Sequence, residues 1–104
     1  MNTVIADFVR HATRDAPEMS EARKSRHEKV LVALLDRNMT RTGLAHTIGF
    51  AAGTVSDDCS HLVGRGMVTT WLAKSGTVRQ RWYGLTKPGE RRAKELQEME
   101  HGHH

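Results

Sequence analysis

Two runs of apolar residues at helical spacing, separated by a single glycine, constrain the fold more than any other feature of this 104-residue chain. Apolar residues three or four positions apart lie on one face of a helix, so each run predicts an amphipathic helix. The residues of these two faces are Leu44, Ala45 and Ile48 in the first run and Val55, Cys59, Leu62 and Val63 in the second. We therefore expect one helix over residues 41–48, a turn at Gly49, and a second helix over residues 52–65.

The residue types at several positions suit two helices that pack closely across a short turn. Ala45 is small, so the helices can approach each other there, and Gly49 lets the chain turn between them. Val55 would hold the second helix against the first. Thr40 is a suitable N-cap for the first helix, whereas Ala51 offers no capping oxygen to the second. The start of the second helix should therefore be weakly held.

Flanking segments predict three more helices and a β-hairpin. Apolar stripes at helical spacing mark these helices: Val4, Ile5, Phe8, Val9 and Ala12 for residues 3–13; Val30, Leu31, Leu34 and Leu35 for a helix from Ser20 or Ser25 to about Asn38; and Ala93, Leu96 and Met99 for a last helix that begins near Pro88. Gly66 should end the helix over 52–65, and two strand-like segments follow, residues 67–73 and 78–86, with a turn at 74–77.

The fold class is therefore mainly α with a small β-hairpin, in the order α-α-α-α-β-β-α. The chain is long enough for one domain with a modest core. We divide it into four parts: residues 1–24 as an N-terminal helix and linker that could serve in dimerisation, 25–87 as the central domain, 88–100 as the C-terminal helix, and 101–104 as a disordered tail.

Positive charge is concentrated in the second half of the chain. The formal net charge is +4, and the isoelectric point is about 9.7. Residues 62–94 carry one acidic residue, Glu90, against these basic residues: Arg65, Lys74, Arg79, Arg81, Lys87, Arg91, Arg92 and Lys94. Such clustering is expected where one element meets a polyanion such as nucleic acid, although a solvated basic face is the alternative.

Other functional classes find little support in the sequence. No apolar run approaches the roughly 20 residues that span a bilayer, and residues 1–14 lack the apolar stretch of a secretory signal. Cys59 is the single cysteine, which is typical of a reducing compartment, so we expect a cytoplasmic protein without membrane contact. Motifs of nucleophilic, phosphate-binding or carboxylate catalysis are not found, and the histidines lack metal-binding spacing. We expect neither an enzyme nor a bound metal or cofactor.

A resemblance to a known group is carried by the segments TRTGLAHTIGFAAGTVSDDCSHLVGRGMV and RWYGLTKPGERRAKEL. The chain resembles the winged helix-turn-helix regulators of bacteria and archaea, especially the MarR-like and ArsR-like groups, over about residues 28–97. This resemblance implies a sequence-specific regulator of transcription that binds double-stranded DNA. It favours a homodimeric repressor that excludes polymerase from a promoter. The sequence does not identify an effector pocket.

The resemblance also implies which residues meet DNA. The helix over 52–65 would enter the major groove, the hairpin would reach phosphates or the adjacent minor groove, and the start of the helix over 41–48 would contact phosphate. The residues so implied are Gly53, Thr54, Ser56, Asp57, Ser60 and His61 on the helix over 52–65, Lys74, Arg79 and Arg81 on the hairpin, and Thr40, Arg41 and Thr42 at the start of the helix over 41–48.

Two carboxylates depart from the pattern of such regulators. Asp57 and Asp58 fall on the helix that would read DNA, where a carboxylate can accept a hydrogen bond from cytosine but repels phosphate. An ion pair of Asp58 with Arg65 or His61 is expected as much as a contact with DNA.

The alternative function is a winged-helix accessory protein of phage or plasmid type, in which residues 52–65 dock a partner protein through these carboxylates.

Three aromatic residues fall on the hairpin. Trp71, Trp82 and Tyr83 could stack on bases or on a ligand, but core packing or a dimer contact is favoured for residues of this kind on a small sheet. Tyr83 and Leu85 share strand parity, so both should face inward. The apolar stripes of the two terminal helices suggest pairing between copies, with a fold-back of the N-terminal helix as the alternative.

Overall fold

The computed structural model describes residues 20–101 as four helices and one antiparallel sheet. In chain order these elements are α1 (Glu21–Asp36), β1 (Met39–Thr40), α2 (Arg41–Ile48), α3 (Ala52–Gly64), β2 (Val68–Ser75), β3 (Val78–Leu85) and α4 (Lys87–His101). The helix predicted over 3–13 lies outside the described residues. Among the described helices, none combines the length and apolar character needed to cross a bilayer.

Helix α1 begins at a side-chain cap and buries one stripe. The Ser20 hydroxyl accepts a hydrogen bond from the Arg23 amide at 3.2 Å, which satisfies one free donor of the first turn. Val30, Leu31 and Leu34 are buried, as the periodicity predicted. The helix spans the sequence-based boundary between residues 24 and 25.

Helices α2 and α3 form the predicted pair. Helix α2 covers the predicted residues, and Gly49 ends it with φ +78°, the left-handed conformation that glycine adopts without strain. Helix α3 ends at Gly64, one residue before the prediction, and the Arg65 amide donates to the His61 carbonyl at 3.0 Å. Ala51 precedes α3 with no side-chain cap, as expected from its residue type.

The hairpin belongs to a three-stranded sheet with the order β1-β3-β2. The two residues of β1 pair with β3, Met39 opposite Tyr83 and Thr40 opposite Trp82. Sequence analysis missed this strand because two residues are too few to show any alternation. The turn is also shorter than predicted: Lys74 is paired with Arg79 in the ladder, and the strands meet at residues 75 and 78.

The core lies where α1, α2, α3 and α4 meet the inner face of the sheet. Its buried apolar residues are Val30, Leu31, Leu34, Met39, Leu44, Ala45, Val55, Cys59, Leu62, Val68, Tyr83, Ala93 and Leu96. Val63 was predicted to point inward and is 37% exposed. It follows Leu62 directly, so it lies about 100° around the helix from a residue at the centre of the buried face.

Helix α4 closes the fold against α1. The Thr86 hydroxyl accepts a hydrogen bond from the Gly89 amide at 3.1 Å, which caps the first turn next to Pro88. Ala93 and Leu96 are buried, but Met99 is 55% exposed, so the described residues cover the end of this stripe only in part. The prediction of a disordered tail over 101–104 is wrong at His101, the last helical residue, and residues 102–104 lie outside the description.

Candidate nucleic-acid interface

A basic cleft lies between the start of α2, one side of α3 and the hairpin. It is lined by Thr40, Arg41, Thr42, Ser56, Leu72, Arg79, Gln80, Arg81 and Tyr83. Six of these residues belong to the set that the resemblance implies for DNA contact. Within the described lining none is acidic, so three arginines leave the cleft strongly cationic.

The hairpin is divided into a cationic and an uncharged face. Residues directly opposite each other in an antiparallel ladder share a face, and Arg79 lies opposite Lys74, as Arg81 lies opposite Leu72. All four are exposed. Arg81 is also oriented locally, since its Nη1 donates to the Thr70 hydroxyl at 3.1 Å. The cationic face is the one that continues into the cleft.

The start of α2 contributes the second wall of the cleft. Thr40 accepts a hydrogen bond from the Gly43 amide at 3.1 Å and so caps the helix, as predicted. Arg41 and Thr42 are exposed in the first turn. The remaining free amides and the helix dipole favour an anion beside them.

Helix α3 presents a small, mostly uncharged surface. Its exposed residues from the implied set are Gly53, Asp57, Ser60 and His61, while Thr54 and Ser56 are half-buried. Ser56 alone among them lines the cleft. Asp57 is the one acidic side chain among them.

Asp58 lies on the opposite side of α3 and is buried. Its carboxylate accepts a hydrogen bond from Arg26 Nε at 2.8 Å and contacts His27 Nε2 at 3.2 Å. The ion pair predicted as an alternative for Asp58 therefore exists, but with residues of α1; the partners proposed from sequence, Arg65 and His61, were wrong. Sequence periodicity could not find partners that are 31 and 32 positions away.

Three ionisable groups of this region have shifted pKa values, and the hydrogen bond to Asp58 raises the pKa of Arg26. Burial lowers the pKa of His27, and the nearby Asp58 opposes this shift without cancelling it. In the described part of the chain, His27 Nδ1 is buried without a hydrogen-bond partner. Burial, with a contribution from Asp58, raises the pKa of the Cys59 thiol to about 12, so this cysteine is a core residue and not a nucleophile at neutral pH.

Sequence reasoning missed three residues of the cleft and two of the buried cluster. Leu72 could have been found, because it lies two positions before Lys74 and therefore on the same face of β2. Gln80 and Tyr83 line the cleft although strand parity places them on opposite faces. Arg26 carried no signal, since a charged residue on a helix usually points to solvent. His27 could have been found, because it stands three and four positions before Val30 and Leu31 on the buried stripe of α1.

The aromatic residues of the hairpin separate into two environments. Tyr83 is 4% exposed and belongs to the core, whereas Trp71 is 37% exposed and Trp82 is half-buried opposite it on the uncharged face. Of the two environments favoured from sequence, core packing is thus wrong for Trp71, and a dimer contact stays a prediction. Among residues 20–101, no three metal-ligating side chains are close enough to hold a metal ion.

The sequence matches no protein-family model, and a comparison with curated proteins finds no significant similarity. Comparison of the fold with solved structures does find similar proteins. The Lactococcus lactis ZitR structure in apo form has a TM-score of 0.70 at 18% identity, and the adhesin competence repressor AdcR from Streptococcus pyogenes has a TM-score of 0.67 at 17% identity. Each alignment covers 97% of this chain and 73% of the other.

A third similar structure was solved with DNA. Bacillus subtilis PadR in complex with operator DNA has a TM-score of 0.60 at 15% identity, with 66% of this chain and 44% of that chain covered. These neighbours are winged-helix transcriptional regulators, which agrees with the fold expected from the sequence. The chain therefore has the winged helix-turn-helix fold, with α2 and α3 as the helix pair and β2–β3 as the wing.

Proposed function

We propose that this protein binds double-stranded DNA at specific sites and regulates transcription. The observation that carries the proposal is the basic cleft, in which Arg41, Arg79 and Arg81 come together from two elements that are far apart in sequence. A cationic concave surface beside an exposed helix suits a polyanionic duplex, because phosphate contacts supply most of the affinity. The regulatory function of the neighbouring structures supports the same assignment.

In this proposal α3 is the recognition helix and enters the major groove. Gly53, Thr54, Ser56, Asp57, Ser60 and His61 would face base edges or the groove wall. The short side chains allow a close approach, and serine and threonine hydroxyls bond to either donors or acceptors on the bases. Asp57 would select cytosine, whose amino group is a donor, and would weaken binding elsewhere by repelling phosphate.

The other implied residues would hold the protein on the backbone. Lys74, Arg79 and Arg81 of the wing would contact phosphates or enter the adjacent minor groove, where the negative potential is strongest when the groove is narrow. Thr40, Arg41 and Thr42 would meet a phosphate at the start of α2. These contacts position the recognition helix and carry little sequence information.

We propose further that the protein acts as a homodimer and represses by occupying a promoter. A groove between α1, α2 and α4 supports this, because Val32, Ile48, Leu96 and Met99 line it and Met99 is largely exposed. A two-fold dimer that reads a palindromic site would place its two recognition helices about 34 Å apart, one turn of duplex. The cytoplasmic location expected from sequence stays a prediction.

The alternative, docking of a partner protein through residues 52–65, loses one of its two carboxylates. Asp58 is 1% exposed and is engaged by α1, so it is not accessible to a partner. Asp57 alone would have to supply the negative charge of such a surface. This observation favours DNA over an acidic docking site.

The test is a fluorescence-anisotropy titration of the protein with randomised and selected duplexes at two salt concentrations, with light scattering on the same samples. We expect salt-sensitive binding, selection of a roughly palindromic site, and the mass of a dimer. Absence of DNA binding at low salt would overturn the proposal and favour the docking alternative. A monomer mass with specific binding would retain DNA recognition and exclude the homodimer.

A further inference from the structure

The recognition helix is attached to α1 by a buried ion pair with defined geometry. Two nitrogens of the Arg26 guanidinium engage the two oxygens of Asp58, with Nε to Oδ2 at 2.8 Å and Nη2 to Oδ1 at 3.3 Å. The Asp58 side chain is 2% exposed and that of Arg26 is 20% exposed. The planar fork of an arginine accepts a carboxylate in few orientations, so this contact restricts rotation and not just distance.

Arg26 contacts the preceding turn as well. Its guanidinium carbon lies 5.9 Å from the centre of the Phe50 ring, in the turn just before α3, and Lys29 Nζ lies 5.4 Å from the same ring. Cation–aromatic contacts of this kind are attractive within about 6 Å. One side chain of α1 therefore holds α3 at two points, through the turn before its first residue and through Asp58 in its middle.

The apolar contacts of α3 cannot supply the same restriction. Val55, Cys59 and Leu62 bury the helix against the core, and their close packing limits its rotation, but apolar attraction itself has no preferred direction. Helical geometry turns about 100° per residue, so Asp57 and Ser60 point away from Asp58 at set angles. Any rotation of Asp58 about the helix axis would rotate the exposed residues by the same amount.

We propose that Arg26 and Asp58 are positioning residues for DNA recognition, whose ion pair sets the angle at which α3 presents its exposed face; this role rests on the proposed DNA-binding function. Neither residue reaches the DNA. Their loss should reduce the discrimination between selected and random duplexes, because contacts to bases need closer alignment than contacts to phosphate. The salt dependence of binding should stay the same, since no phosphate contact is removed.

The test compares three variants with the wild type. Asp58→Asn removes the carboxylate charge and leaves the Arg26 cation without its counter-ion. The double variant Arg26→Met with Asp58→Leu removes both charges, so it restores stability relative to Asp58→Asn without restoring the directional contact. Ala93→Gly, in α4, is the control: it loses stability because glycine is unfavourable in a helix interior, but it lies outside the lining of both the cleft and the groove and leaves the ion pair intact.

The first measurement is the ratio of the dissociation constants for random and selected duplexes. We expect Asp58→Asn and the double variant to lower this ratio at least tenfold, with an unchanged salt slope, while Ala93→Gly retains it. If Asp58→Asn does not fold, the double variant decides the outcome. A wild-type ratio in the double variant would overturn the proposal, because the ion pair would then serve stability alone.

The second measurement needs no DNA and separates this proposal from the proposed function. Residual dipolar couplings of backbone amides report the angle by which α3 is rotated about its own axis relative to α1, with the corresponding angle of α4 as an internal reference. We expect the first angle to change in the double variant and the second to stay constant. An unchanged first angle would overturn the positioning role whether or not the wild type binds DNA. Absence of DNA binding by the wild type is a separate result, which refutes the proposed function itself.

Discussion

Gly89, in the first turn of α4, lies directly against the carbonyl group of Met67, just before β2. A side-chain carbon at position 89 would overlap the carbonyl oxygen, and backbone atoms there cannot give way as a side chain can. The Met67 carbonyl also accepts a hydrogen bond from the Thr86 amide at 3.1 Å, which keeps it in place. The close approach joins the start of α4 to the start of the wing.

Gly89→Ala should therefore destabilise the protein by ~3 kcal/mol through overpacking of backbone against backbone. Urea unfolding followed by circular dichroism measures this change. The matched control is Gly64→Ala in α3, where an added Cβ meets nothing within 4 Å. That substitution should raise the free energy of unfolding by ~0.5–1 kcal/mol, because alanine is favoured over glycine in a helix. Equal effects at the two sites would contradict the packing argument.

A capping side chain at the start of α3 should stabilise the protein. Ala51 occupies the N-cap with φ −63° and ψ 145°, the extended conformation that a capping serine adopts, and makes no cap hydrogen bond. Ala51→Ser should raise the free energy of unfolding by ~0.5–1 kcal/mol. Thr40→Ala, which removes the existing cap of α2, should lower it by ~1 kcal/mol. An unchanged urea midpoint in Ala51→Ser would show that its hydroxyl does not cap α3.

The stability of the protein should fall on mild acidification because of His27. Burial lowers the pKa of this side chain below its ordinary value of 6.5, so the folded state binds a proton less readily than the unfolded state. The stabilisation is fully present above pH 6.5 and is lost as the pH falls from there through the lowered folded-state pKa. Each unit between the two pKa values corresponds to ~1.4 kcal/mol.

The measurement is the free energy of unfolding at a series of pH values between neutral and mildly acidic. His27→Gln should lack most of this decline, because its side chain takes up no proton. His46→Gln, an exposed histidine of α2, is the matched control and should retain it. An equal decline in the His27→Gln variant and the wild type would assign the effect to other groups.

Wing arginines should contribute to DNA affinity through phosphate. Arg79→Ala and Arg81→Ala each remove one cation from the cleft, so each should weaken binding and lower the slope of log affinity against log salt by about one. Arg91→Ala makes the same change in net charge on exposed α4, outside the lining of the cleft, and should leave the slope unchanged. Equal slopes for all three variants would show that the wing does not meet the backbone.

The exposed end of α4 should govern association between copies. Met99→Asp places a charge in the apolar groove formed with α1 and α2, and a buried unpaired charge opposes pairing. We expect light scattering to give the mass of a dimer for the wild type and of a monomer for this variant. Val78→Asp, at an equally exposed apolar position on the wing, should remain dimeric. A dimeric Met99→Asp variant would exclude this groove as the interface.

Local patterns in the sequence determined most of the helical frame. Helix α2 has the predicted bounds because Thr40 supplies a cap at one end and Gly49 a left-handed turn at the other, and both signals lie within the segment itself. The second apolar run placed α3 to within one residue of its observed end. Strand alternation likewise placed Tyr83 in the core.

Contacts between distant segments were decided by the tertiary structure alone. Strand β1 exists because β3 lies beside Met39 and Thr40, and no local signal announces a pairing across more than 40 residues of chain. Asp58 is buried because Arg26 and His27 lie where they can bond to its carboxylate. A charged residue is expected at the surface unless a partner offsets its desolvation, and periodicity does not reveal such partners. The sequence by itself determined the four described helices and the two strands of the wing. The packing of those segments decided that strand β1 forms, that the cleft gathers three arginines and that a buried ion pair holds α3.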